Sequence, residues 1–246
     1  MAGEKEIALQ LENVRKTFVV SNKTFLSIKD RLFNLHRKNE KKTIQALKNV
    51  NLEVYKGECI GIVGRNGSGK STLTRIMSGA YQPDKGGKVK RNGTHLLMNL
   101  GVGFSHELTA RENVYVNGST LGLTVKEIDT IFHDIIKFAE LEEFVDTKIK
   151  YFSSGMVQRL SFSIAMYAQA DILFLDEVFA VGDNKFKEKA IEMLEKSWLK
   201  GCTTIMVSHS NALIEKYCSK VLVLNKGKQV HYGDVKEGLK IYDSLE

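Results

Sequence analysis

The sequence predicts an α/β fold in which a parallel sheet is covered by helices on both faces and interrupted by an all-helical insertion. Three observations carry this. ECIGIV, ADILFLDE and GCTTIMVSHS contain short apolar runs of strand length, as expected for strands buried on both faces. Each run is followed by a helical pattern, STLTRIMSGAY, NKFKEKAIEMLEKSWL and NALIEKYCSK in turn. Between the first and second of these units, residues 105–166 are mostly helical in pattern.

Taken in order, IALQLENV alternates as a half-buried strand does, and KNVNLEVY leads into the strand ECIGIV. STLTRIMSGAY then reads as a helix. In the insertion, RENVYVNGSTLGL is one helix and TVKEIDTIFHDIIKFAE another, with Ile128, Ile131, Phe132, Ile135 and Ile136 at helical spacing. A third opens at Ser153. After the two later strand–helix pairs, VLVLNKGKQVHYG is a hairpin turning at Lys226 and Gly227. The expected organisation is one domain over 1–246, its core at about 6–104 and 167–235 and its helical part at about 105–166.

Composition narrows the functional classes. At 43% hydrophobic and 26% charged, the 246-residue chain is globular in type, and no run approaches the roughly 18 apolar residues of a membrane-spanning helix. MAGEKEIALQ lacks a secretory signal's basic and apolar regions, so a cytosolic location is expected. Three cysteines, Cys59, Cys202 and Cys218, without CxxC spacing suggest buried thiols rather than a metal site. Of the net charge of +7, residues 20–45 carry seven basic against two acidic side chains, so the rest is nearly balanced. One local basic feature is expected rather than a nucleic-acid groove. Within it, TFLSIKDRLFNLHRK is amphipathic if helical, which suits a headgroup zone beside a membrane partner or, equally, packing on the core.

GRNGSGKST, residues 64–72, matches GxxxxGK(S/T) between a strand and a helix. Gly64, Arg65, Asn66, Gly67, Ser68 and Gly69 form a loop of small and polar residues whose N–H groups curl around phosphates. Lys70 reaches the terminal phosphates, the Ser71 hydroxyl ligates Mg²⁺, and Thr72 continues the helix. At the end of ILFLDE, Asp176 completes the Mg²⁺ shell and Glu177 orients an attacking water. His209, closing IMVSHS, is placed at the same sheet edge as a γ-phosphate contact. These residues predict a P-loop NTPase core that binds a nucleoside triphosphate with Mg²⁺.

With these motifs in hand, almost the whole chain resembles the ATP-binding cassette family. FSSGM at 152–156 stands where that family carries LSGGQ. The resemblance implies a RecA-like parallel sheet with an antiparallel β subdomain, and a head-to-tail homodimer in which Ser153, Ser154 and Gly155 close over the partner's nucleotide. A serine N-cap alone would account for Ser153 but not for glycine at 155. Asp183 resembles the family's D-loop acid facing the opposite subunit. Phe18 resembles its adenine-stacking aromatic, with a core phenylalanine as the other reading. The chain departs from the pattern at Ser154 and Met156, and the glutamine expected near Leu100 is not evident; Ser105, His106 and Glu107 remain open as its substitutes.

GRNGSGKST, LGVGFSHELTAREN, YFSSGM and DEVFAVGD with FKEK are together similar to the ATPase subunits of polysaccharide exporters. This implies a peripheral protein on the cytoplasmic face of the inner membrane. It would pair with two copies of a separate membrane subunit to move a lipid-linked glycan; O antigen is the expectation, with capsule or teichoic acid as alternatives. A C-terminal sugar-binding domain is not expected in 246 residues. The rival reading is a soluble cassette ATPase acting on nucleic acid or ribosomes, but the chain has neither a second cassette nor a coiled-coil insertion.

Overall fold

Two sheets sandwich one helix. The computed structural model describes residues 6–21, 41–98, 103–176, 183–199 and 201–245. Strands β1 (Ile7–Ser21) and β2 (Lys41–Tyr55) pair antiparallel along their full lengths, and β4 (Lys88–Arg91) joins the other edge of β1. The second sheet has the order β5-β6-β7-β3-β8-β9, built from β5 (His95–Met98), β6 (Ile172–Asp176), β7 (Thr203–Val207), β3 (Cys59–Val63), β8 (Lys220–Asn225) and β9 (Lys228–Gly233). Its first five strands are parallel and β9 is antiparallel.

The strand sequences explain the layering. Ile172 and Phe174 of β6, Ile205 and Val207 of β7, and Leu222 and Leu224 of β8 point to one face, where Leu9, Leu11, Val50 and Leu52 of the first sheet close over them. Helix α1 (Lys70–Met77) lies between, burying Leu73, Ile76 and Met77. Leu173, Leu175, Met206, Val221 and Val223 point to the other face. Helices α5 (Asn184–Ser197), α6 (Asn211–Tyr217) and α7 (Val235–Asp243) cover that side with Phe186, Leu194, Ile214 and Leu239. A period-two strand with both faces apolar is thereby buried on both sides.

Helices α2 (Ala110–Thr120), α3 (Val125–Ala139) and α4 (Ser154–Ala165) build a separate core from Val114, Ile128, Ile135, Ile136, Leu160 and Ile164. Thr109 with Glu112 and Thr124 with Glu127 form complete capping boxes at the starts of α2 and α3. An aromatic trio joins this unit to the sheet. Phe138 lies 6.1 Å from Phe162 and 5.6 Å from Phe186, and Phe162 lies 6.0 Å from Phe186, centroid to centroid.

The basic feature expected over 20–45 is narrower than its sequence suggests. Val20 and Ser21 belong to β1, and 41–45 to β2, because the ribbon pairs from Ile7↔Tyr55 out to Ser21↔Lys41. The amphipathic stretch TFLSIKDRLFNLHRK lies outside the described residues.

The β8–β9 turn ties the two sheets together. Lys226 (φ 47°) and Gly227 (φ 80°) are both left-handed, as a two-residue hairpin of this hand requires. Gly227 N–H donates to Ser68 O at 2.9 Å, and Gly227 O accepts from Lys48 N–H at 2.7 Å. A Cβ at 227 would fall 2.6 Å from Ala46 O. Gly227→Ala should therefore cost roughly 1–3 kcal/mol, seen as a lower midpoint in a thermal melt, whereas an unchanged midpoint would show the turn to be pliable.

Candidate functional site

The loop from β3 to α1 is shaped by close backbone approaches. A Cβ at Gly64 would lie 2.4 Å from Leu224 O, and one at Gly69 (φ 109°) would lie 2.7 Å from Ala46 O. Both positions need glycine for the loop to sit against β8 and β2. The resulting cleft, about 550 Å³, is lined by residues 66–72, by Ile44, Gln45, Ala46 and Lys48 of β2, and by Lys226 and Gly227. Lys70 is buried, with Nζ donating to Gly64 O at 2.6 Å and Arg65 O at 3.3 Å. Ser68 Oγ is buried and finds no hydrogen-bond partner among the described residues.

The start of α1 is closed by no side chain, a property that among α1–α7 only α6 shares. Its N-cap, Gly69, brings no side-chain acceptor, and its first turn holds no acid. By contrast α2, α3, α4, α5 and α7 each close their own start with a side chain: Thr109, Thr124, Ser153, Asp183 and Asp234. The unsatisfied N–H groups and partial positive charge of α1 therefore face the cleft, joined there by Lys48, Lys70 and Lys226. That is a site for a polyanion, and the donor set fits a phosphate chain.

Sheet order brings the remaining candidates to the same edge. β7 lies between β6 and β3, so Asp176 at the end of β6 and His209, two residues beyond β7, fall on the same sheet edge as the loop that follows β3, although neither lines the cleft. Asp176 pairs across to Val207 and is half-buried; His209 is exposed. Ser71, a hydroxyl in the first turn of α1, and Asp176, one carboxylate, are the kind of sparse oxygen set that suits Mg²⁺, which keeps waters and phosphate oxygens as its other ligands. Glu177 lies outside the described residues, as do 99–102, where the family glutamine was expected. Of its open substitutes, Glu107 is paired with Lys150 at 3.0 Å, and Ser105 N–H donates to Asn113 Oδ1 at 2.9 Å.

Other candidates stand away from the cleft lining. Ser153 caps α4, its Oγ accepting from Met156 N–H at 3.2 Å, and Ser154 is exposed beside it. A Cβ built at Gly155 meets nothing closer than Ser153 Oγ at 3.9 Å, so no contact among the described residues demands glycine there. Asp183 caps α5 through Phe186 N–H at 2.9 Å. Arg65 turns outward to donate to Leu245 O at 3.2 Å. Phe18 packs against Tyr81 and does not line the cleft, although its cross-strand partner Ile44 does. The β2 wall and Lys226 were missed by the sequence reading as cleft residues, since no local motif marks a strand that crosses a distant loop. Cys202 and Cys218 are poor nucleophiles, for burial pushes Cys202 up to about 11, and Cys218 is raised by its hydrogen bond with Cys59 and by burial.

Comparison with known proteins follows the same lines. The family profile described as ABC transporter matches residues 47–180. The chain is 35% identical over 240 residues, 96% of its own length and 98% of the relative's, to the O-antigen export system ATP-binding protein RfbB of Klebsiella pneumoniae. It is 37% identical over 237 residues to the teichoic acids export ATP-binding protein TagH of Bacillus anthracis, covering 96% of this chain but only 42% of TagH. Among solved structures, the dimeric post-hydrolysis state of an ATP-binding cassette bound to ADP and Pi superposes with a TM-score of 0.71 at 24% identity. It covers 92% of this chain and 98% of that one, and the likeness supports the fold. Among the described residues, no helix is long and apolar enough to cross a membrane.

The capping geometry of α4 gives a direct stability test. Ser153→Ala should cost about 1 kcal/mol in chemical denaturation and Ser153→Gly only a few tenths, while equal losses would mean that Oγ does not hold the helix start.

Proposed function

The chain is a member of the ABC transporter family, and on that premise we propose that it is the ATP-hydrolysing subunit of an exporter of lipid-linked polysaccharide. The observation that carries this reading is the contrast between two helix starts. One, at α1, lies in a basic cleft without a side-chain cap, and the other, at α4, holds a half-buried glycine that no contact among the described residues requires.

In this reading the triphosphate of ATP lies along the 64–72 loop with its terminal end at Lys70 and the first turn of α1. Ser71 and Asp176 hold Mg²⁺, which when bound neutralises charge on the β- and γ-phosphate oxygens. Glu177 orients the attacking water, and His209 contacts the γ-phosphate. Phe18 carries the adenine. A second copy, packed head to tail, presents Ser153 Oγ, the Ser154 and Gly155 backbone and the start of α4 to that phosphate, while Asp183 meets the opposite copy. A Cβ at 155 would hold the two surfaces apart. Two closed sites per dimer follow from the symmetry of such a pair. Closure favoured by ATP and released by hydrolysis can do work on two membrane subunits only through this difference in affinity.

The cargo class rests on the resemblance to the exporters' ATPases. O antigen is the specific proposal, and the similar identities to RfbB and TagH leave teichoic acid as the alternative that a transport assay separates. A peripheral place on the cytoplasmic face of the inner membrane belongs to the same proposal. Purification from its own cells should bring down a multi-span membrane protein; ribosomes or DNA in its stead would point to a soluble cassette ATPase.

Two substitutions test the chemistry. Gly155→Ala should leave the melting temperature within about 2 °C, because the new methyl comes no closer than ordinary contact, 3.9 Å from Ser153 Oγ, yet lower phosphate release at least about tenfold; undiminished turnover would remove Gly155 from the site. Glu177→Gln should still bind ATP but accumulate as a closed dimer on a sizing column, and rapid turnover by that variant would refute its role.

A further inference from the structure

The segment following α1 is sewn onto β1 beside the nucleotide cleft. Tyr81 N–H donates to Arg75 O at 2.9 Å, and Asp84 N–H to Arg15 O at 2.8 Å. Lys16 Nζ donates to Gln82 O at 2.7 Å. Between these ties the half-buried Tyr81 ring stands edge-on to Phe18, with centroids 5.8 Å apart and planes at 69°. Arg75 holds the far end of Tyr81, Nη1 donating to the hydroxyl at 3.0 Å with the guanidinium carbon 5.5 Å from the ring centroid. Lys16 Nζ lies 5.6 Å from the Phe18 centroid and 6.0 Å from that of Tyr81.

Phe18 has need of such an anchor. β4 pairs with β1 only over Leu9–Glu12, so at residue 18 the first sheet has thinned to the two-stranded ribbon of β1 and β2. A two-stranded ribbon is marginal in water and does not by itself fix a ring. Phe18 lies directly opposite Ile44, so the two side chains leave the same face of the ribbon, and Ile44 lines the cleft.

We infer that Tyr81 is a positioning residue for the nucleotide base: braced by Arg75, it fixes the Phe18 ring at the Ile44 rim of the cleft as a stacking surface. The inference rests on the proposed ATP site. Its structural consequence is that both ends of the nucleotide are referred to one element, since α1 carries Lys70 and Ser71 at the phosphates and Arg75 behind the base. The phosphate-to-base span is then set by a rigid helix instead of by the ribbon.

Affinities for ATP and for inorganic triphosphate, which lacks a base, separate this role from general support of the loop. In the full chain, Tyr81→Ala should weaken ATP roughly tenfold, the scale of a lost base–aromatic stack, while triphosphate affinity stays within about twofold. Tyr81→Phe, which keeps the ring, should retain most of the ATP affinity. In a Phe18→Ala background, Tyr81→Ala should cost nothing further. Equal weakening of both ligands, unchanged ATP affinity, or additive losses would each overturn the inference while the nucleotide site stands. A wild-type chain that binds neither ligand would overturn the nucleotide reading and this inference with it.

Discussion

The backbone N–H groups at the start of α1 are the constraint around which the rest is arranged. A helix start without a capping side chain must find its acceptors elsewhere. Gly69 supplies none, and the loop before it approaches Leu224 O and Ala46 O so closely that side chains at 64 and 69 would have no room. The same construction keeps the loop from collapsing onto those N–H groups. Gly227 bonds to Ser68 O on one side and to Lys48 N–H on the other, so the hairpin and the antiparallel sheet hold the loop from outside. The helix buries its opposite face in the core between the sheets and leaves its electropositive end at the surface.

The parallel sheet then decides which chemistry shares its edge with the loop. Because β3, β7 and β6 are adjacent and parallel, their C-terminal ends deliver the loop, His209 and Asp176 to one edge. Helix α4 belongs to a unit with its own core, joined to the sheet through Phe138, Phe162 and Phe186 and through Lys189, which bonds to Phe138 O at 3.0 Å. At its start Ser153 Oγ takes up the Met156 N–H, and the half-buried Gly155 beside it leaves a Cβ position with nothing closer than 3.9 Å.

Much of this was legible in the sequence because the signals are local. The spacing from Gly64 to Ser71 is set by a single loop, and the strands ending at Val63, Asp176 and Val207 read as apolar runs because both of their faces are covered. The turn at Lys226 and Gly227 was equally plain. Long-range features were not. The outer half of β1, RKTFVVS, and the start of β2, KKTIQ, are mixed in polarity because the ribbon there is largely exposed, so the basic insertion seemed to begin and end inside them. The edge strand KVKR offers a single apolar side chain, Val89, and α7 passed unread although Asp234 and Glu237 mark its start. The cleft wall from Ile44 to Lys48 depends on where a strand crosses, which no spacing encodes.

The central claim is that the phosphate end of one copy and the α4 start of another form one site. Mixing two inactive variants tests it most directly: Lys70→Ala, which spoils only the loop side, and Gly155→Asp, which spoils only the α4 side. A head-to-tail dimer formed from the mixture contains one intact site, so phosphate release should appear on mixing where neither variant alone shows any. A mixture as inactive as its components would contradict the account.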